Sequence, residues 1–434
     1  MKVAATTGVP AASLVRWRVL LVMMLASFVS YVLRYNVSTA GPSMMADLGI
    51  TALHLGYMAS AMSIGYALFQ LPGGMLTDAV GPRRTLTWLI VIWIVLTLLT
   101  SAVPAGGGID VATTVVMLVL IRFLVGAVHA PIFPLVGGVI ERWFPIGHWA
   151  LPNGLTSTAL TLGSAATAPL LVWLIGEYGW RPAFALMTPL ALLALVLWWW
   201  QIRDEPQQHP AVNEAEVRLI IANRPAAHLT EGSTPNWRRM LRNRSLLLLL
   251  IAYASMNYVF YLFFYWVFYY LVNERGIGEQ AASYVVSLQW ICAAVGGLVG
   301  GLVCDWACRR IGMRWGCAAP AIFGLVLSGT LFAIGSQSDV TWIVVISFAL
   351  SFFFNQMTEA AFWTAGISIG GRHAATACGV MNTGGNGVGI VVGPLAPLTA
   401  ATLGWGAAMM TGTLFALVGA FVWLFIRADL PASD

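Results

Sequence analysis

The stretch GGMLTDAVGPRR, Gly73 to Arg84, returns later in the chain as GGLVCDWACRRIG, Gly300 to Gly312. Gly73 and Gly300 stand 227 positions apart (300 less 73), and Asp78 and Asp305 keep the same spacing. Each copy joins an apolar run to a turn holding an aspartate and two adjacent arginines. A longer pair repeats the pattern. GLTSTALTLGSAATAPLLVWLIGEYGW (Gly154 to Trp180) and GVMNTGGNGVGIVVGPLAPLTAATLGW (Gly379 to Trp405) have equal length and both end in Gly-Trp. Pro169 and Pro394 hold matching places in them. The chain is an internal duplication, and its two halves are expected to fold alike.

Composition identifies the solvent. Of 434 residues, 59% are hydrophobic and 9% charged, and mean hydropathy is +0.81. Soluble domains carry about 25% charged residues. Strand-type alternation is absent, which argues against a membrane β-barrel. The apolar runs reach the ~20 residues that a helix needs to cross hydrocarbon. They fall at 17–43, 53–76, 85–104, 112–138, 150–175 and 182–202, then at 246–272, 281–303, 316–335, 340–367, 375–399 and 404–426. The first run follows Lys2, Arg16 and Arg18 as a signal peptide would. It is too long and lacks a clear small-residue cleavage site, so it reads as an uncleaved span. The expectation is an all-α membrane protein: twelve transmembrane helices in two six-helix pseudo-symmetric lobes, 1–202 and 246–434. The polar segment 203–245 reads as a cytoplasmic central loop that meets the membrane surface through Trp237 and its arginines.

Net charge is +5. A basic balance can mark a nucleic-acid binder, but here the arginines sort by loop. One side would hold Lys2, Arg16, Arg18, Arg83, Arg84, Arg142, the seven arginines of the central loop, Arg309, Arg310, Arg314, Arg372 and Arg427. The other would hold Arg181 and Arg275. This bias places both termini in the cytoplasm, and no nucleic-acid partner is expected. Cys304 and Cys308 share a helix face, but two thiols make a poor zinc site. Neither a metal nor a cofactor is expected. No clustered catalytic groups support an integral-membrane enzyme.

GGMLTDAVGPRR resembles the signature loop of the major facilitator superfamily. RFLVGAVHAPIFP, Arg122 to Pro134, resembles that superfamily's second, arginine-centred motif. SYVLRYNVSTAGPSMMADLGIT (Ser30 to Thr51) and IFPLVGGVIERWFP (Ile132 to Pro145) resemble its anion:cation symporter branch, which carries sugar acids and other organic anions. The resemblance covers essentially the whole chain. It implies a monomeric, multi-pass transporter of a bacterial inner membrane that takes up an organic anion with protons. Its site would lie at midplane between the lobes, which rock around it. An anion exchanger or efflux transporter of the same fold is the alternative. Asp78, Arg83, Arg84, Asp305, Arg309 and Arg310 resemble the superfamily's cytoplasmic gate. The chain departs from the branch twice. Leu33 stands where an aspartate often precedes the first-span arginine, and His129 where a coupling glutamate often stands.

Arg34, Arg122 and Glu359 are the deep charges, and His129 is the deep histidine. A charge at bilayer depth costs about 2.5 to 3.5 kcal/mol on insertion scales. Two arginines and one carboxylate leave a residual +1, which favours an anionic ligand. Arg34 is the candidate for its carboxylate, since a planar guanidinium suits bidentate pairing. The competing reading is a structural ion pair or snorkelling. Glu359, His129 and Arg122 are candidates for proton coupling. Their structural readings are a fixed ion-pair partner, a hydrogen-bonded core imidazole and a lattice arginine. The 227 offset pairs Gln356 with His129 and points both into a central cavity. Asn257, Tyr261 and Tyr265 recur at i, i+4 and i+8, one helix face suited to cavity lining. Asn382 and Asn386 share another face and are further substrate candidates. The glycines of TGGNGVG, Thr383 to Gly389, read as helix-packing residues rather than a phosphate loop.

Overall fold

The computed structural model describes residues 12–104, 109–145, 150–221, 242–370 and 374–430. Lys2, Trp237 and its flanking arginines, Arg372 and the side chain of Asp78 lie outside the described residues. The first half comprises α1 (Val15–Leu48), α2 (Ala52–Val80), α3 (Pro82–Ser101), α4 (Val111–His129), α5 (Ile132–Trp143), α6 (Ala150–Tyr178) and α7 (Trp180–Gln201). A short α8 (Glu214–Ile221) lies in the central segment. The second half comprises α9 (Arg244–Tyr265), α10 (Glu279–Gln337), α11 (Thr341–Met357), α12 (Glu359–Gly370), α13 (Ala374–Gly387) and α14 (Gly389–Trp423). Among the described residues there is no strand.

Nine helical stretches among the described residues are long and apolar enough to cross a membrane. Two of them break at a glycine with positive φ, Gly312 (79°) and Gly404 (82°), and so hold two spans each. Those two additions and α2, 29 residues long, bring nine to twelve. The outward surface is apolar, with Leu302, Leu403, Trp200 and Trp88 largely exposed. Hydrocarbon is the solvent there, so such exposure carries no penalty.

Spans 4 and 10 are each two helices rather than the single helices expected. The first breaks where α4 gives way to Pro131 and α5, the second at Thr358 between α11 and α12. Pro131 lacks the N–H that would continue the ladder. Thr358 turns its hydroxyl back onto the Asn355 carbonyl at 2.7 Å. The two breaks are 227 positions apart, and the repeated glycines explain them. Gly73 lies hard against the Pro131 ring and Gly300 against the Met357 carbonyl, where no Cβ would fit. Span 7 also departs from the expectation. It steps at Trp266 and ends in a wider turn over Tyr270–Glu274.

The start of α1, the end of α14 and the described part of the central segment share one face. Glu216 of α8 is fully buried and accepts from Ser13 Oγ (2.6 Å), Val15 N (3.2 Å), Arg16 N (3.3 Å) and Arg16 Nη1 (3.0 Å). It caps the amide groups that open α1. At the same face Arg427 N donates to Ser245 Oγ. On the opposite face Arg181 pairs with Asp47, and Arg275 pairs with Asp339 at 3.5 Å.

That opposite face is closed by contacts between the halves. Ser60 Oγ on α2 donates to the Ile390 carbonyl of α14 at 2.6 Å. Gly56 and Gly393 let the same two helices meet backbone to backbone: a Cβ on either would sit 2.5 Å from the other's carbonyl oxygen. Ser63 and Tyr265 share a hydrogen bond at 2.8 Å. Tyr35 is fully buried edge-on to Phe264 (5.0 Å) and Trp290 (5.8 Å).

Candidate functional site

Between the halves lies a cavity of about 430 Å³. Its walls are Tyr31 and Arg34 of α1, Tyr66 of α2, Phe133 of α5 and Ser157 and Thr161 of α6. The second half adds Tyr253, Asn257 and Phe260 of α9, Trp290 of α10, Gln356 of α11, Glu359 and Trp363 of α12, and Asn382 and Asn386 of α13. The wall residues of α5, α6, α9, α12 and α13 lie toward the chain-end side of their spans. The cavity therefore runs from midplane toward the face that carries the termini.

Arg34 is 4% exposed and caged by aromatic faces. Its guanidinium carbon lies 4.5 Å from the Tyr66 ring centroid and 5.3 Å from those of Tyr31 and Phe264. Its Nε has no hydrogen-bond partner, and among the described residues it makes no ion pair. Ring faces offset part of the cost of a desolvated cation. They do not fill its planar fork.

Glu359 opens α12, in the first turn, where the helix dipole favours a carboxylate. Its Oε1 accepts from Tyr253 Oη at 2.8 Å and Trp363 Nε1 at 2.7 Å. Both bonds go to one oxygen, so Oε2 accepts none among the described residues. Glu359 is thus held by two neutral donors rather than by either deep arginine. The cavity wall carries one cation and one carboxylate that are not paired with each other.

The polar wall is linked. Tyr261 Oη donates to Asn386 Oδ1 at 2.8 Å, and Asn386 Nδ2 donates to Asn382 Oδ1 at 2.8 Å. Tyr261 itself stands behind the wall, stacked on Tyr265 with centroids 5.3 Å apart. Tyr265 belongs to the closed side through Ser63. Of the three residues read as one lining face, only Asn257 reaches the cavity. Of the motif's glycines on α13, Gly384 and Gly385 pack as expected, a Cβ meeting Leu250 at 2.5 Å or Tyr253 at 2.2 Å, whereas a Cβ at Gly387 meets nothing within 4 Å.

Arg122 and His129 do share a face of α4, but it is turned onto α1 rather than into the cavity. Arg122 Nη2 donates to the Arg34 carbonyl at 3.2 Å, and Nη1 reaches Asn36 Oδ1 at 3.5 Å. His129 sets Nε2 3.1 Å from the Ser30 carbonyl and Nδ1 2.7 Å from the Val125 carbonyl. Its ring stacks on Trp93 at 4.6 Å. Ser30 and Arg34 are one turn apart, so α4 laces onto α1 at successive turns. The 227 offset thus predicts the place of Gln356 and not that of its counterpart.

The gate-like residues sit around the open end. Arg83 Nη2 donates to the Trp199 carbonyl at 2.9 Å, and its guanidinium lies 4.1 Å from the Trp199 ring centroid. The Arg83 amide donates to Asp204 at 2.9 Å. Arg84, Asp305, Arg309 and Arg310 are exposed. Sequence reasoning missed Tyr31, Tyr66, Tyr253 and Trp363 as wall residues. Three carry a signal: Tyr31 precedes Arg34 by one turn, Tyr253 precedes Asn257 by one, and Trp363 follows Glu359 by one.

A duplicated helix bundle with a polar cavity between its halves is the architecture of a membrane transporter. Residues 23–394 match the Major Facilitator Superfamily. The chain is 31% identical over 426 residues to the probable sulfoacetate transporter of Cupriavidus necator, covering 96% of this chain and 95% of that one. It is 32% identical over 348 residues to the probable galactarate/D-glucarate transporter of Bacillus subtilis, covering 78% and 75%. Its fold is similar to that of a bacterial homologue of the human lysosomal transporter Spinster in an inward-facing, unoccupied crystal structure. There the TM-score is 0.76 at 14% identity, over 96% of this chain and 98% of that one. This chain belongs to the Major Facilitator Superfamily; it is a multi-pass membrane transporter and not an enzyme.

Proposed function

We propose that this transporter carries an organic anion bearing a carboxylate, such as a sugar acid, by alternating access with a proton as coupling ion. The observation that supports this most is Arg34. A buried guanidinium on a cavity wall, without a carboxylate partner, leaves an unmet electrostatic demand that a ligand carboxylate satisfies bidentately. Asn257, Gln356, Asn382, Asn386, Ser157 and Thr161 offer hydrogen bonds to hydroxyls. The relatives named for galactarate, glucarate and sulfoacetate are all named for anions.

In this reading Glu359 holds the proton. The unoccupied Oε2 is its seat, and protonation leaves Arg34 as the only charge among the cavity's described wall residues, which favours anion entry. Arg122 and His129 fix α1 so that Arg34 keeps its place. With the termini in the cytoplasm, the cavity faces inward. Asp78, Arg83, Arg84, Asp305, Arg309 and Arg310 form the gate that closes that end when the Gly56–Gly393 contact opens the other. A second reading, anion exchange, is favoured by one observation: His129 packs in the first half rather than on the cavity wall, which leaves Glu359 as the one proton-coupling candidate among the described wall residues.

The test is thermal stabilisation of the purified protein across sugar acids, sulfoacetate, aromatic acids and matched uncharged sugars. A ligand at 100 times its Kd adds about 2.7 kcal/mol to the folded state. One class of anion should raise the melting temperature of the wild type and leave Arg34→Ala unmoved. An equal response in the variant sinks the assignment of Arg34. Uptake into proteoliposomes that persists without a pH gradient, but needs anion inside, would establish exchange instead.

A further inference from the structure

Cys304 and Cys308 lie one turn apart near the break in α10, and the sequence places the next thiol, Cys317, nine residues further on. The fold brings it close. The chain reverses at Gly312, and Cys317 comes back alongside. Gly316 makes the approach possible: a Cβ there would stand within 2.6 Å of the Cys308 amide nitrogen. Cys308 Sγ then lies 4.0 Å from Cys304 Sγ and 3.8 Å from Cys317 Sγ, and all three sulfurs fall within 4.8 Å of one another. Met313, in the turn itself, sets its Sδ 4.0 Å from Cys308 Sγ and 3.9 Å from Cys317 Sγ. Cys304 and Cys317 are buried, while Cys308 is partly exposed.

We propose that this cluster is a binding site for a soft monovalent metal ion of the Cu(I) type. The geometry comes first. Three sulfurs each about 2.3 Å from a central ion lie about 4.0 Å apart when ion and sulfurs are coplanar. The two adjoining separations match that spacing without rearrangement. The donor set comes second. Thiolates and a thioether, with no imidazole or carboxylate among them, are the soft donors taken by Cu(I), zinc and Fe–S clusters, and the thioether turns the choice toward Cu(I). Zinc would need a fourth ligand of a kind that Met313 does not supply. Cys308 gives the ion a route in from the chain-end face. Binding would deprotonate the thiols and release their protons. It involves no change of oxidation state. An occupied site would fasten the two spans of α10 to each other at the end where the cavity opens.

The test is binding, measured on the full-length purified chain under anaerobic conditions, so it stands apart from the transport reading. Cu(I) is titrated against a chromophoric Cu(I) chelator. One ion per chain is expected, with binding lost in Cys304→Ser/Cys317→Ser and weakened in Met313→Leu. Cys292→Ser and Cys378→Ser should bind as the wild type does. A second readout covers the case in which the double variant fails to fold. In the wild type, Cu(I) should protect Cys308 from maleimide. Equal alkylation with and without copper overturns the proposal. Stoichiometric binding that survives in Met313→Leu, and that zinc matches, overturns the thioether and Cu(I) assignment.

Discussion

Replacing Gly393 by alanine should shift the conformational balance of the protein without touching its cavity. The new Cβ would stand 2.5 Å from the Gly56 carbonyl oxygen, 2.9 Å from Ser60 Oγ and 3.1 Å from Ser60 N. A carbon and a carbonyl oxygen rest at about 3.3 to 3.6 Å, so α2 and α14 have to part by roughly 1 Å. The obstruction is backbone, which cannot rotate away. Overpacking of this kind costs about 1 to 3 kcal/mol. At about 1.4 kcal/mol per tenfold, the closed arrangement loses roughly 5- to 150-fold in population relative to any state in which these helices separate. Spin labels at the exposed positions Thr51 and Thr402, on the closed face, would report it. A longer-distance population should appear in Gly393→Ala and not in Gly387→Ala, where a Cβ meets nothing within 4 Å. One unchanged distance distribution, together with wild-type uptake, would refute the argument that this contact is the closed side's hinge.

On the proposed reading, Glu359→Gln removes the proton seat and keeps an acceptor oxygen for Tyr253 and Trp363. Accumulation driven by a pH gradient should be lost while counterflow of the same anion continues; loss of both would mean a direct role in binding. His129→Gln should lower the melting temperature through its contacts to Ser30 and Trp93, with about 1 to 3 kcal/mol at stake. The pH profile of transport should stay where it is, and a shifted profile would return His129 to the coupling path. His209, outside the spans, sits edge-on to Trp143 and takes a hydrogen bond from the Ala211 amide. Burial, then the Arg203 cation, push its pKa down. The unfolded chain, near 6.5 for histidine, binds that proton more readily than the folded one. Stability should therefore fall as pH drops through about 6.5, and His209→Gln should flatten the slope between pH 7 and 5.

The duplication was readable because each half needs the same glycines at the same places. Gly73 and Gly300 are each fixed by a close approach of the neighbouring broken span, the Pro131 ring in one half and the Met357 carbonyl in the other. Arg34 and Glu359 stood out because a charge is rare at that depth. Orientation within a helix was harder to read. His129 and Gln356 share a register position, yet the break at Pro131 and the packing of α4 onto α1 turn one away from the cavity. The step at Trp266 has no proline or glycine to announce it; Trp266 is wedged against Trp405 at 5.3 Å instead. Cys317 is nine residues from Cys308, and only the reversal at Gly312 makes them neighbours. Contacts set by tertiary packing leave no period in the sequence.

The bond between Glu216 and the start of α1 settles which half owns the central segment. As far as Ile221, the chain after the sixth span is moored to the first half. The stretch of sequence from Ile221 to Asn243 has a contour of at most roughly 75 Å. Rocking of two bundles in contact needs far less. The described contacts between the halves, Gly56 with Gly393, Ser60 with Ile390 and Ser63 with Tyr265, therefore bear on their relative placement. A chain severed between Ile221 and Asn243 should still assemble from its two fragments through those contacts.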